Sequence, residues 1–442
     1  MSSVLQRVTP GAPLALLVVP PKGPDVVTWL TLYAFILFAI PSRLVVGPLG
    51  SAGAVSMLLG LLSFGLWIIL HLSRSRPSLT PVAQPIRWAL GVFMFCIGIS
   101  YALAMAQPLN GDEVSPADVA ILSLLSWAGT MLLAHDGILT RVRLETLVWR
   151  FVQLGGLMGV LGLAQFFLRR SFVDLISIPG LTAVADAGLF YRNGLVRPSG
   201  TAIHPIEYGA LLTMVLPLAL HVGLSRTDRS AWLRWFPTIA IVAAIGVSSS
   251  RSAYLGAIVG VVVCAIAWSK QVRVRLFSIA AIGLVAASVV LPRLINSIVG
   301  LFAGAEEDPS ITSRTDSFSF AWAFILESPL FGRGLGTFLP KYRIFDNQYL
   351  GMLVSIGVIG TIALVGIAVA VVAVMVRVYR TADSPATADL AVSLTASVLA
   401  GFVSLAFFDA FAFPMTMGTL FLVMGMAGAL GRLTQERPPT YW

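Results

Sequence analysis

The chain has 442 residues, of which 57% are hydrophobic and only 11% charged, with a formal charge of +9 and a mean hydropathy of +0.89. A soluble globular domain carries about 25% charged residues, so this composition excludes one and places most of the chain in lipid. The positive charge does not point to nucleic acid, because the basic residues stand in short loops between apolar runs.

Lipid leaves only helices or closed barrels, since every backbone polar group must be satisfied internally. Runs such as Thr238–Val247 and Gly357–Val376 are continuous rather than alternating with period two, which predicts helices. The first twenty residues hold a short apolar stretch, 12–19, interrupted by prolines and without a small-x-small cleavage site. It reads as an interfacial segment rather than a removable signal. About 20 apolar residues make a span. The sequence predicts twelve, at 26–46, 50–71, 86–106, 117–134, 144–168, 207–224, 235–249, 252–268, 274–292, 347–376, 389–408 and 412–430. The expected fold is all-α and polytopic: a single transmembrane domain over 1–442, with outer excursions at 169–206 and 293–346.

Loop charge predicts the orientation. One set of loops carries Arg74, Arg76, Arg87, Arg141, Arg143, Arg226, Arg229, Arg234, Lys270, Arg273, Arg275, Arg377 and Arg380. The other carries an acidic loop with Asp112, Glu113 and Asp118, and both long excursions. The basic set is expected to be cytoplasmic, with both termini, where Arg7, Lys22, Arg432 and Arg437 stand. Cys96 and Cys264 lie inside apolar runs and suggest neither a disulfide nor a metal site. His71 and His221 fall near cytoplasmic span ends and His135 in a cytoplasmic loop, which reads as three interfacial histidines.

Polar residues near spans are costly and mark function, and here they gather in three clusters on the outer side. The first runs from Arg192 through Arg197-Pro-Ser-Gly-Thr-Ala-Ile-His204-Pro to Glu207 and Tyr208, directly ahead of the sixth span. His204 stands between a structural histidine and a base. The second is the turn Ser248-Ser-Ser-Arg251-Ser-Ala-Tyr254. Its arginine either meets an anion or reaches the interface as an anchor. The third is the loop ahead of the tenth span. Thr312–Ser328 reads as an amphipathic helix with Ser310 or Thr312 as N-cap and Arg314 and Asp316 in its first turns. Ser328-Pro-Leu-Phe-Gly332-Arg333-Gly-Leu-Gly336 and Asp346-Asn347-Gln-Tyr349-Leu350 follow. The glycine run follows no strand, so it is no dinucleotide loop, and it reads as a turn against headgroups. No metal-ligand spacing is visible, and no Ser-His-acid set.

Taken in this order, these clusters resemble the O-antigen ligase and O-antigen polymerase superfamily of bacterial membrane glycosyltransferases. The resemblance rests on Arg197…Gly-Thr…His204-Pro, Ser248-Ser-Ser-Arg251, Arg314 to Trp322 followed by Pro329-Leu-Phe-Gly-Arg-Gly, and Asp346-Asn347…Tyr349-Leu350 with Gly357-Val-Ile-Gly360. It covers roughly 190–380.

The resemblance implies a bacterial inner-membrane enzyme. Such an enzyme transfers a glycan from a polyprenyl-diphosphate carrier to an acceptor hydroxyl on a glycan or lipid, at the outer face, without a metal or other cofactor. Bidentate arginines suit the diphosphate leaving group: Arg197 and Arg251 are assigned to it, with Arg314 as a further candidate. Asp346 is the expected base, with His204 and Glu207 competing, and Asn347, Tyr349 and Arg333 hold substrate. Ligases that modify lipopolysaccharide typically carry histidine at the place of Asp346, and aspartate there is more similar to polymerases. The competing class is a lipid-linked-oligosaccharide flippase or another secondary transporter. Transporters place ionisable groups or broken helices near the midplane, whereas these clusters sit at outer span ends.

Overall fold

The computed structural model describes residues 25–73, 83–186, 188–192, 194–303 and 309–435. The expectations for Arg7, Lys22, Arg74, Arg76, Arg437 and the stretch 12–19 lie outside these residues.

The described chain is mostly helical. In order it forms α1 (Val26–Ala39), β1 (Leu44–Val46), α2 (Val55–Leu72), α3 (Pro85–Met105), α4 (Gly111–Gly137) and α5 (Arg141–Leu168). Then come β2 (Leu181–Ala183), β3 (Phe190–Arg192), β4 (Leu195–Arg197), α6 (Pro205–Ser225), α7 (Ala231–Val247), α8 (Arg251–Ala267) and α9 (Lys270–Val290). The last are α10 (Pro292–Ala303), α11 (Pro309–Glu327), α12 (Gln348–Arg380), α13 (Pro385–Ser404) and α14 (Pro414–Gln435). Among the described residues nine helices are long and apolar enough to cross a membrane, and α1, α7 and α8 are shorter apolar helices. Each segment read from the sequence as a span overlaps one of these twelve.

Local chemistry sets the helix starts. Asp25 accepts the Thr28 N–H at 3.0 Å, and Ser384 accepts that of Thr387 at 3.2 Å, each satisfying a donor that the first turn leaves unpaired. Pro85, Pro205 and Pro385 open α3, α6 and α13, where a missing N–H costs nothing.

One continuous core of buried side chains links α1 and α3 through α8 with α12, α13 and α14, and α2 packs partly buried side chains against it. α6 and α14 are enclosed, whereas α9 has no buried residue. Small residues permit close helix approach: a Cβ on Gly159 of α5 would lie 2.9 Å from the Ala240 carbonyl carbon of α7.

Four features differ from the sequence reading. Asp112, Glu113 and Asp118 are not in a loop but in the first turns of α4, whose start is closed by Glu113 accepting the Asn110 N–H at 3.2 Å. His135 is not in a loop either. It is buried in the last turn of α4, its Nδ1 2.7 Å from Asp136, while Asp136 also takes the Trp67 indole N–H at 2.8 Å and Arg87 at 3.2 Å. His221 is likewise buried, against Asp389 at 2.6 Å. In each case a carboxylate supplies the partner that burial demands. Ser310 and Thr312 lie inside α11 rather than capping it.

The segment between α5 and α6 folds back on the end of α1. β1 pairs antiparallel with β2, Leu44 opposite Ala183. β3 pairs with β4, Phe190 opposite Arg197. Gln165 of α5 anchors the return: its amide donates to the Ser171 and Gly200 carbonyls at 2.7 and 2.9 Å and accepts from the Gly200 N–H at 2.7 Å.

Candidate active site

β4 ends on Arg197, and the hairpin with β3 sets Arg192 beside it. Arg197 Nε points at the Ser248 carbonyl, 3.5 Å away, so the first and second sequence clusters meet. Burial, and then the positive charge of Arg192, pulls the Arg197 guanidinium down to about 10. It remains a cation at neutral pH. Two like charges held together in a half-buried place suit an anion.

The second cluster is a tight turn between α7 and α8. Ser249 has φ +48°, an uncommon conformation for a residue with a side chain. It is fully buried, with its hydroxyl lacking a protein partner. Ser248 and Ser250 are buried beside it, their hydroxyls on the Ile245 carbonyl at 2.7 Å and on Ser252 at 3.0 Å. Arg251 opens α8, and its Nε donates to the Leu301 carbonyl of α10 at 2.6 Å. The guanidinium thus ties the end of α10 to the turn.

His204 caps α6, its Nδ1 accepting the Ile206 N–H at 3.2 Å. Burial, then the charge of Arg197, lowers its pKa to about 4. The ring is therefore neutral, with Nδ1 used as acceptor and the proton on Nε2. Nε2 is then a donor rather than the base weighed from the sequence. Its ring lies 4.9 Å from Phe190 and 6.3 Å from Phe413.

Glu207 is fully buried. One carboxylate oxygen accepts the Ile203 N–H at 2.9 Å and the other the Met415 N–H at 2.8 Å. The side chain closes the N-terminus of α14 and has no face toward a substrate.

Asp346 precedes α12 with φ +49°, a conformation that aspartate tolerates better than most and that often accompanies functional sites. Asn347 caps α12, its side-chain oxygen accepting the Tyr349 and Leu350 N–H groups at 3.0 and 3.3 Å. Tyr349 donates to the Phe402 carbonyl at 2.7 Å, and Gln348 accepts the Phe411 N–H at 2.8 Å. Together they fix the loop between α13 and α14 against the start of α12. That loop carries Asp409, whose carboxyl is raised above its ordinary value by burial and then by the negative charge of Asp346. In the same loop the Phe408 and Phe413 rings are 5.3 Å apart, and Phe413 lies 6.3 Å from the His204 ring.

Arg333 stands elsewhere. Its guanidinium lies 5.2 Å over the Phe324 ring, and its N–H donates to the Val354 carbonyl at 3.0 Å. The glycine run around it is not a headgroup turn but an insertion into a break in α12. Gly357 has φ +67° within that helix, and the freed backbone is re-paired: Gly334 N–H to Ser355 at 2.8 Å and Val358 N–H to Pro329 at 2.9 Å. A broken membrane helix is tolerated where neighbouring backbone satisfies it in this way. Arg314 lies within α11, and its side chain falls outside the described residues. No group of three His, Cys, Asp or Glu side chains with metal-site geometry occurs among the described residues.

Residues 236–365 match the family model for O-antigen ligase. Over this segment the chain is similar to the O-antigen ligase family. The match runs from α7 to α12, taking in the Ser248–Arg251 turn, α10, α11 and Asp346, and it bears out the superfamily read from the motifs. A search of curated proteins finds no match. The O-antigen ligase domain goes with glycan transfer in polysaccharide assembly by a membrane glycosyltransferase. Arg197, His204 and Asp409 lie outside the matched segment, yet the fold sets them around it.

Asp409 is the residue that sequence reasoning missed. A signal was available, since it is the only charged residue between Leu390 and Leu430, and a lone acid among apolar helices marks a functional candidate.

Proposed function

We propose that the chain transfers a glycan from a polyprenyl-diphosphate carrier to an acceptor hydroxyl at the outer face of the cytoplasmic membrane, as a polymerase or ligase. The chain then forms one membrane domain of twelve spans, with both termini cytoplasmic and α10 and α11 outside. The observation that carries this reading is the meeting of Arg192 and Arg197 with the Ser248–Arg251 turn.

The reaction asks for two things. As the anomeric carbon–oxygen bond breaks, its electron pair leaves on the diphosphate, and arginines aimed there stabilise the growing charge. As the acceptor oxygen bonds to the anomeric carbon it loses a proton, which Asp346 takes. Arg197 and Arg251 hold the diphosphate, and His204 donates from Nε2. Asp409 stands behind Asp346 as its electrostatic partner. Glu207 keeps α14 in place, and Asn347 and Tyr349 hold Asp346 at the mouth of α12. Arg333 supports the glycine insertion. Arg314 is kept as a candidate contact from α11.

The test uses purified protein in nanodiscs with a polyprenyl-diphosphate-linked glycan, scoring donor binding and product separately. Asp346→Asn is expected to bind donor normally and to form no product. Normal turnover by this variant removes Asp346 as the base.

A further inference from the structure

We infer that α11 is an interfacial helix whose stripe Phe318, Trp322 and Leu326 rests in the outer leaflet of the bilayer; this rests on the outward placement of α11 proposed above. The sides of the helix differ from one another. Ser317, Ala321 and Ile325 are buried, the last two in a small core with Phe345 and with Leu350 and Val354 of α12. Phe318, Trp322 and Leu326 recur at four-residue spacing on the neighbouring side, and each is more than half exposed. Beyond them Asp316, Ser319, Ala323 and Glu327 are exposed as well. Going round its axis, the helix is packed, then bare and apolar, then mostly polar. That is the pattern of a helix held at a lipid–water boundary.

Charge marks which aromatic rings belong to the stripe. Phe324 lies 5.2 Å from the Arg333 guanidinium and Phe320 5.7 Å from that of Arg343. A guanidinium enters hydrocarbon only at a cost, so those two rings face away from lipid.

The level of the stripe follows from α12. Val358 and Arg377 stand 19 residues apart in that helix, about 28 Å of rise, against about 30 Å for a hydrocarbon core. With the exposed Arg377 at the cytoplasmic boundary, Val358 is at the outer one. The Val358 N–H donates to the Pro329 carbonyl at 2.9 Å, and the Ile359 N–H to that of Leu330 at 3.3 Å. The chain therefore leaves the end of α11 at the lipid boundary, where the Leu330 side chain is more than half exposed. Trp322 and Leu326 stand in the last turns of α11, within the layer where indole rings concentrate. Phe345 of the small core directly precedes Asp346, so the contact with lipid sets the height of the proposed base above the membrane.

The experiment places a nitroxide on otherwise cysteine-free full chain in nanodiscs, through Trp322→Cys, Leu326→Cys, Ala323→Cys or Glu327→Cys. Collision rates with oxygen, which concentrates in lipid, and with a water-soluble nickel chelate are compared. The oxygen-to-nickel ratio is expected to be about tenfold higher at 322 and 326 than at 323 and 327, as for a helix with one face in lipid. A label-free measurement repeats the question: the emission lost in Trp322→Phe is expected to be mostly quenched when the wild-type chain sits in lipids with brominated tails. Three results overturn the inference: nickel reaches all four positions equally; neither probe reaches 322 and 326, which means that protein covers the stripe; or brominated lipid leaves the Trp322 emission unchanged. These readouts are the same on either face of the membrane. Their failure is thus distinct from failure of the outward placement, which impermeant thiol labelling of Ser310→Cys reads.

Discussion

Asp409 sits beside Asp346 although 63 residues of chain separate them, and the charge of Asp346 helps to hold its carboxyl above the ordinary aspartate value of 3.8. The pairing is built by backbone fixtures. Gln348 grips the Phe411 N–H at 2.8 Å, and Tyr349 grips the Phe402 carbonyl at 2.7 Å. The start of α12 and the loop that carries Asp409 are thus held together from outside the matched segment.

The first prediction concerns pH. Asp409 has a folded pKa above 3.8, raised by burial and then by Asp346. The native state therefore holds its proton more tightly than the unfolded chain does. This contribution to stability is complete below about pH 4 and is lost as pH rises through the folded value. Asp409→Asn removes the titration, so its melting temperature should fall less steeply than the wild type across that window. Asp346→Asn removes one of the two causes and should lie between them. Parallel melting curves over a pH series check both, and identical slopes in all three proteins would show that Asp409 does not titrate there.

Arg251 carries two loads, which one variant can separate. Arg251→Ala should reduce transfer by roughly 100-fold or more, as loss of a preorganised charge donor does. Because Nε holds the Leu301 carbonyl at 2.6 Å, it should also speed hydrogen exchange in α10. Arg251→Lys keeps the charge without the planar fork and should rescue transfer poorly. Wild-type turnover by Arg251→Ala, with faster exchange in α10, would make the arginine a tether alone.

Much of this fold was legible in the sequence because lipid imposes one rule on every span. The apolar runs fell on helices, and the first two polar clusters meet where Arg197 reaches the Ser248 carbonyl. What stayed hidden was tertiary. Nothing in the Pro329–Gly336 run announces that it completes the hydrogen bonds of a helix broken at Gly357. A Cβ at Gly357 would lie 2.3 Å from the Leu330 carbonyl, a closeness that spacing does not encode. Glu207 looked like a site acid because it followed His204-Pro, but its two partners come from the chain's own backbone, one of them in α14. Arg43 gave no signal at all, since the Ala185 and Val173 carbonyls that it holds lie 142 and 130 residues away in the chain.

Topology gives a separate test. Ser230 caps α7 beside Asp228 and Arg229, in a loop assigned to the cytoplasm, whereas Ser310 belongs to the segment assigned outside. In otherwise cysteine-free protein, Ser310→Cys should react with a membrane-impermeant thiol reagent on intact cells and Ser230→Cys only after lysis. The reverse pattern would invert the arrangement and move the arginines to the wrong face for an outer transfer.

Glu207 provides the sharpest separation of structure from chemistry. Its two oxygens accept the Ile203 and Met415 N–H groups at 2.9 and 2.8 Å, and it is fully buried. Glutamine has one acceptor oxygen, and its amide nitrogen would face a backbone N–H, donor against donor. Glu207→Gln should therefore lose about 1–3 kcal/mol of stability, seen as a lower melting temperature. The start of α14, from Met415, should exchange hydrogen faster. Donor affinity and turnover per folded molecule should stay at wild-type values, because the carboxylate meets no substrate. A variant that melts normally yet fails to transfer would contradict this assignment and return Glu207 to the list of candidate bases beside Asp346.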